Sequence, residues 1–219
     1  MMQLSDKQID EINDFLAEKS PQSIIQWALD QKKKTVVSTS FGYRSAVTLH
    51  MVSSLQPNVP VIWVDSGYNV KDAYLVAEQL IHELKLNMHI YNPLMSTSRR
   101  EALLGVDCAI PDGPVFEQFK NEVKLEPFQR ALDELRPDIW INGIRREETE
   151  YRKNLNIVSR DDSGIIKVAP LFHWKESDMD LYMKKHDLPN CDHYYDPTKV
   201  DARAECGLHT KQFEQGGGI

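Results

Sequence analysis

Apolar residues in the first thirty positions, Leu4, Ile9, Ile12, Phe15 and Leu16, then Ile24, Ile25, Ala28 and Leu29, recur near helical spacing and are interrupted by Ser20-Pro21. That pattern predicts two short helices. The chain then changes period. Thr35-Val36-Val37-Ser38-Thr39-Ser40 is a compact, β-branched run that predicts a buried strand. A helical pattern follows over 43–55, Pro57 and Pro60 frame a turn, and Val61-Ile62-Trp63-Val64-Asp65 predicts a second strand. A third round gives a helix over 70–84 and a strand over 88–91. Strands alternating with helices of this length predict an α/β fold: a mostly parallel central sheet with helices on both faces.

Residues 92–125 are broken by Pro93, Gly105, Pro111, Gly113 and Pro114 and predict loops around short helices. Regularity returns with a helix over 127–135, strands over 138–142 and 165–168, and a helix over 176–186. From Asp187 the chain is polar and turn-rich and ends in Gly216-Gly217-Gly218-Ile219, so a mobile C-terminal tail over 201–219 is expected. At 219 residues one domain over 1–200 is expected, with residues 1–31 as its N-terminal helices.

Composition removes several classes of function. A net charge of −7 argues against nonspecific nucleic-acid binding, which draws on surplus Lys and Arg. No apolar run is long enough for a membrane span, and Met1-Met2-Gln3-Leu4-Ser5-Asp6 lacks the basic start of a signal peptide. A cytoplasmic protein with no membrane or nucleic-acid partner is the expectation. Cys108, Cys191 and Cys206 are widely spaced, with no Cys-x-x-Cys, and fit neither a disulfide framework nor a metal site. Cys108 and Cys191 are expected to be small buried hydrophobes. Cys206 lies instead in a polar, glycine-flanked segment where a structural thiol has nothing to pack against.

Three polar stretches follow strands. Ser38-Thr39-Ser40-Phe41-Gly42 sits where a strand hands over to a helix, the place in an open α/β sheet where anions bind. Ser38 and Ser40 would add hydroxyl donors, and Gly42 would let the backbone come close. An ordinary serine cap is the alternative. Asp65-Ser66-Gly67-Tyr68 ends the second strand, either as a neighbouring polar turn of the site or as a generic one. Asn142-Gly143-Ile144-Arg145-Arg146 follows an apolar strand, with Arg152 just beyond. Its guanidinium groups are read as an anion site in preference to salt bridges with Glu147 and Glu148, because the guanidinium fork matches phosphate and sulfate oxygens. Lys124, before the helix-opening Glu126-Pro127, adds a point charge.

With Lys167-Val168-Ala169-Pro170, Trp174 and the terminal Glu205-Cys206-Gly207-Leu208-His209, these stretches occur in family order between residues 35 and 209. The chain resembles the adenylyl-sulfate and phosphoadenylyl-sulfate (PAPS) reductase family, a branch of the PP-loop ATP pyrophosphatase-like fold. The resemblance implies that Cys206 attacks the substrate's sulfur, becomes an S-sulfocysteine and is freed by reduced thioredoxin or glutaredoxin, releasing sulfite. It implies further that Ser38, Ser40, Phe41, Gly42, Asp65, Ser66, Gly67, Lys124, Gly143, Arg145, Arg146, Arg203 and His209 bind substrate. Arg203 and a cationic His209 would favour the thiolate, and Glu205 would oppose it.

Two departures matter. Residues 191–203 are shorter than the family's usual stretch, leaving Arg203 and Lys199 to replace its spaced arginines. The Cys-Cys and Cys-x-x-Cys ligands of an iron–sulfur cluster are absent, so no bound cofactor is expected, and 3′-phosphoadenylyl sulfate is favoured over adenylyl sulfate. The family often forms homodimers. A cluster-free adenylyl-sulfate reductase, a PP-loop nucleotidyl transferase or ATP pyrophosphatase, and a non-catalytic nucleotide-binding protein are the alternatives.

Overall fold

The computed structural model describes residues 4–110, 113–199, 205 and 207–209, with the side chains of all but 107 and 108. Helices α1 (Asp6–Leu16) and α2 (Pro21–Asp30) form where the early apolar spacing places them. Ser5 and Ser20 accept hydrogen bonds from the backbone N–H groups of Gln8 and Ser23, and Pro21 opens α2, which together set both starts. Strand β1 (Thr35–Thr39), α3 (Ser45–Leu55), β2 (Pro60–Val64), α4 (Lys71–Leu84) and β3 (Asn87–Tyr91) follow in the expected alternation.

The irregular stretch contains α5 (Thr97–Leu104), a 3-10 turn Val106–Ala109, α6 (Gly113–Lys120) and one π turn Asn121–Leu125 leading into α7 (Glu126–Leu135). Next come β4 (Ile139–Ile141), a 3-10 turn Arg152–Asn154, β5 (Val158–Arg160), β6 (Ile166–Val168) and α8 (Glu176–His186). Sequence periodicity had not shown β5, a three-residue strand pairing antiparallel with β6 at the sheet's edge.

The sheet order is β3-β2-β1-β4-β6-β5, parallel except for β5. Alternate residues face opposite ways, as strand geometry requires. Val37, Val61, Trp63, Ile139 and Ile141 join a core with residues of α1, α2, α3, α4 and α8. Val36, Ile62 and Trp140 pack on the other face against Phe128, Ala131 and Leu132 of α7. Helices therefore cover both faces. The chain runs from β1 outward through β2 to β3, then returns to lay β4 on β1's other side. This order reversal opens a crevice at the carboxyl ends of β1 and β4, where ligands bind in sheets of this kind. No helix among the described residues is long and apolar enough to cross a membrane.

Candidate active site

A cleft of about 620 Å3 occupies that crevice. Its floor is Ser38, Thr39, Ser40 and Gly42 at the end of β1 and just beyond it, with residues 142–145 after β4, and its outer wall is the segment 194–199. The turn from β1 into α3 takes more residues than the helical pattern indicated. Phe41 and Arg44 both adopt left-handed backbone, at φ 49° and 58°, so α3 begins at Ser45 and no side chain caps it. Arg44 N donates to Asn190 Oδ1, and Ser45 N and Val47 N donate to the carbonyls of Gly42 and Arg44, so what this end of α3 offers an anion in the cleft is chiefly its partial positive charge.

Ser38 accepts a hydrogen bond from Trp140 Nε1 at 2.7 Å, which leaves the serine's own proton available to a ligand oxygen. Ser40, Gly42, Ser66 and Gly143 also line the cleft. A Cβ on Gly42 would meet the Tyr194 ring at 2.9 Å, so the glycine is needed for the outer wall to close down. Phe41 requires correction as a ligand-contacting side chain. It is fully buried, edge-on to Trp63 at 4.9 Å, and does not line the cleft. Asp65 and Gly67 likewise shape the turn and do not line the cleft. Asp65 Oδ1 accepts from Gly67 N, Asn69 and Tyr74, while Gly67 sits at φ 78° under Thr97.

The cations are less free than their sequence setting indicated. Arg145 lines the cleft but is paired with Glu147 and Glu148, so the salt bridges weighed against an anion site are present within it. Arg146 turns outward: it is exposed, does not line the cleft, and its guanidinium lies over Phe172, 5.9 Å from the ring centroid. Successive residues of this turn diverge, so the paired-arginine reading is corrected to Arg145 alone. Lys124 is in the cleft, bonded to Asp196 and, at 3.2 Å, to Thr198. Burial raises the Asp196 carboxyl, but Lys124 and Thr198 outweigh it and hold it below its ordinary value. Arg44 braces the start of α3 against α8 through Asp180 at 2.5 Å and Glu176 at 2.6 Å.

Cys206 and Arg203 lie outside the described residues, as do Cys108's side chain and most of the expected tail. Cys191 is a buried thiol, as expected, and burial pushes its pKa up. Of the described neighbours of Cys206, Leu208 and His209 line the cleft and Glu205 lies beside it. Glu205 bonds Arg152 and Thr149, Leu208 packs on the Trp140 face, and His209 stacks on Trp140 with ring centroids 5.0 Å apart. The expected cationic His209 is corrected. Burial, then the charges of Arg152, Lys167, Lys124 and Lys199, hold it well below the ordinary histidine pKa, so it is neutral. Among the described residues its Nδ1 has no hydrogen-bond partner. No group of three or more His, Cys, Asp or Glu side chains among the described residues is placed to hold a metal.

A sequence model of the phosphoadenosine phosphosulfate reductase domain matches residues 34–197, three quarters of the chain and all of the sheet. The chain belongs to the phosphoadenosine phosphosulfate reductase family. A phosphoadenosine 5′-phosphosulfate reductase from a Synechococcus species is 40% identical over 182 residues, covering 82% of this chain and 77% of its own. The Photobacterium profundum protein of that name is 35% identical over 214 residues, covering 95% and 81%. The crystal structure of phosphoadenylyl-sulfate reductase from Candida auris, a phosphate complex, superimposes with TM-score 0.77 at 26% identity over 87% of this chain and 91% of that one. Candida glabrata FMN adenylyltransferase shares the fold at TM-score 0.59 and 15% identity, covering 88% of this chain and 62% of that one. Membership of the reductase family thus decides against the transferase reading that fold alone would leave open.

Within this reductase family fold, the outer wall is what sequence reading missed. Tyr194, Asp196 and Thr198 come from the stretch that had looked merely shortened, and Asp196 reaches Lys124 across 72 positions of chain. The only sequence signal was their place just before the terminal motif. Lys199, named as a replacement cation, does line the cleft, and among the described residues it has no ion-pair partner.

Proposed function

We propose that this chain reduces 3′-phosphoadenylyl sulfate to sulfite and adenosine 3′,5′-bisphosphate in sulfate assimilation, with Cys206 as the nucleophile. One observation carries the reading: Leu208 and His209, just after Cys206 in sequence, line the cleft, and Glu205, just before it, is bonded to the cleft-lining Arg152.

The nucleotide's charged groups are met by the positive N-terminal end of α3 and by the hydroxyls of Ser38 and Ser40. Lys124, Arg145 and Lys199 offset the negative charge of the sulfonate, which would otherwise repel an incoming thiolate. The Cys206 thiolate forms an S–S bond to the substrate's sulfur. The bond from that sulfur to the bridging oxygen breaks, and adenosine 3′,5′-bisphosphate leaves with the electron pair. Cys206 is then an S-sulfocysteine. A thiolate of a dithiol reductant of the thioredoxin or glutaredoxin class attacks the Cys206 sulfur and sulfite departs. The reductant's second thiol resolves the mixed disulfide, so two electrons pass from dithiol to sulfite. No bound cofactor takes part in these steps. Glu205 does not oppose the thiolate as a free charge would, because Arg152 and Thr149 occupy it.

The test is sulfite release with 3′-phosphoadenylyl sulfate and reduced thioredoxin, beside the same reaction with adenylyl sulfate. Faster turnover of the 3′-phosphorylated substrate, abolished in Cys206→Ser, is expected. Turnover that survives this substitution counts against the proposal.

A further inference from the structure

Arg152 is buried at the cleft wall, with its guanidinium held by two carboxylates. It is 9% exposed. Its Nε and Nη2 donate to the two oxygens of Glu205 at 2.9 and 3.1 Å, and its Nη1 donates to Glu148. Thr149 completes the set: its hydroxyl donates to Glu205 Oε1 at 2.5 Å and accepts from Arg152 N at 3.2 Å. From the same short loop, the Tyr151 hydroxyl donates to the carbonyl of His209 at 3.0 Å. One segment, 149–152, therefore grips the chain on both sides of residue 206.

A buried carboxylate is costly unless its partner geometry is close to ideal, and a two-point guanidinium fork is the arrangement that offsets the cost and fixes direction as well as distance. A simple apolar anchor for the segment already exists in Leu208, packed among Phe128 and Trp140. The ion pair adds what Leu208 does not: it sets the orientation of the backbone one bond from the nucleophile, and it neutralises the carboxylate nearest in sequence to the thiol.

We propose that Arg152, which also lines the cleft, and Thr149 are positioning residues that act through Glu205 to hold the segment bearing Cys206 in its attacking orientation. The inference rests on the reading of Cys206 as nucleophile. It predicts a separation of effects, because effective alignment of a nucleophile appears in the rate of the bond-forming step and not in the affinity for the leaving group.

The experiment compares the full-length chain with its Glu205→Gln and Arg152→Lys variants. Glu205→Gln keeps the size and the Thr149 contact, while Arg152→Lys keeps the charge and loses the fork. Three quantities are read: the single-turnover rate of Cys206 sulfonation without reductant, the Kd for adenosine 3′,5′-bisphosphate, and hydrogen exchange over the peptide spanning 205–209. Each variant is expected to slow sulfonation about tenfold or more, and in Glu205→Gln, which leaves the cleft-lining guanidinium of Arg152 in place, the Kd stays within about threefold. Exchange over 205–209 is expected to quicken by about tenfold in both. Sulfonation at the wild-type rate overturns the proposal, as does a Glu205→Gln Kd that rises in step with the rate loss. Unchanged exchange protection overturns it even where the variants are slow. A wild-type chain that is protected over 205–209 yet forms no adduct contradicts the functional reading, while the variants' exchange still decides the latch.

Discussion

His209 lies nearly flat on Trp140, with ring centroids 5.0 Å apart and planes 21° from parallel. On its other edge the same indole donates to Ser38. The terminal motif and the strand that begins the anion site thus share one aromatic platform. Contact of this kind suits a neutral imidazole, and burial together with Arg152, Lys167, Lys124 and Lys199 keeps it neutral.

A pH dependence follows with a definite sign. The folded-state pKa of His209 lies below its unfolded value, so the unfolded chain takes up the proton first as pH falls. The stabilisation is complete above about pH 6.5 and is lost progressively as pH drops from there towards the folded pKa. Thermal unfolding at pH 7.5 and 5.5 checks it. The wild type is expected to lose stability at the lower pH, and His209→Phe, which keeps a stacked ring without a titrating group, is expected to lose less. His50 and His173, also lowered by burial, leave some acid sensitivity in that variant.

Lys124 and Asp196 give a stability prediction. Their side chains are 13% and 8% exposed, so truncating Asp196 removes a close carboxylate from a buried ammonium. Asp196→Ala is expected to cost about 3 kcal/mol in urea unfolding, the range for breaking one side of a buried pair. A loss below about 1 kcal/mol would mark the pair as solvent-screened.

Gly42 gives a prediction about binding. Its added Cβ in Gly42→Ala meets the Tyr194 ring at 2.9 Å, and Tyr194 is held by an edge-on contact with Tyr43. The ring must shift, which opens the outer wall. Nucleotide affinity is expected to fall about tenfold in calorimetric titration, with global stability changed by less than about 1 kcal/mol. Unchanged affinity would show that the wall does not need to close.

The two adjacent arginines are expected to separate. Arg145→Ala removes a guanidinium from the cleft wall and is expected to raise the KM for substrate about tenfold, whereas Arg146→Ala removes one that rests on Phe172 and is expected to change it less than about twofold. Steady-state kinetics of the two variants decides.

Much of the fold was legible locally. Val36-Val37 and Val61-Ile62-Trp63 lie in runs too apolar and β-branched for anything but buried strands, and Ser5, Ser20 and Pro21 mark helix starts by their own chemistry. β5 was not legible, because Val158-Ser159-Arg160 is short and polar, and its pairing with β6 depends on tertiary placement. The site divides in the same way. Ser38, Ser40 and Gly42 follow a strand and are visible as a strand-to-helix turn. Lys124 with Asp196, and Arg152 with Glu205, are contacts across 72 and 53 positions, and no periodicity carries them. Arg145 and Arg146 look alike in sequence and differ in which way the turn faces them. The neutrality of His209 comes from its burial and the cations gathered around it, which only the folded chain brings together.

The most direct measurement is intact-mass and peptide-level mass spectrometry of the chain after incubation with 3′-phosphoadenylyl sulfate in the absence of reductant. A single sulfonate on Cys206 is predicted, absent from Cys206→Ser and discharged as sulfite when reduced thioredoxin is added. An unmodified chain, or an adduct that persists in Cys206→Ser, would contradict a reaction that runs through this thiol.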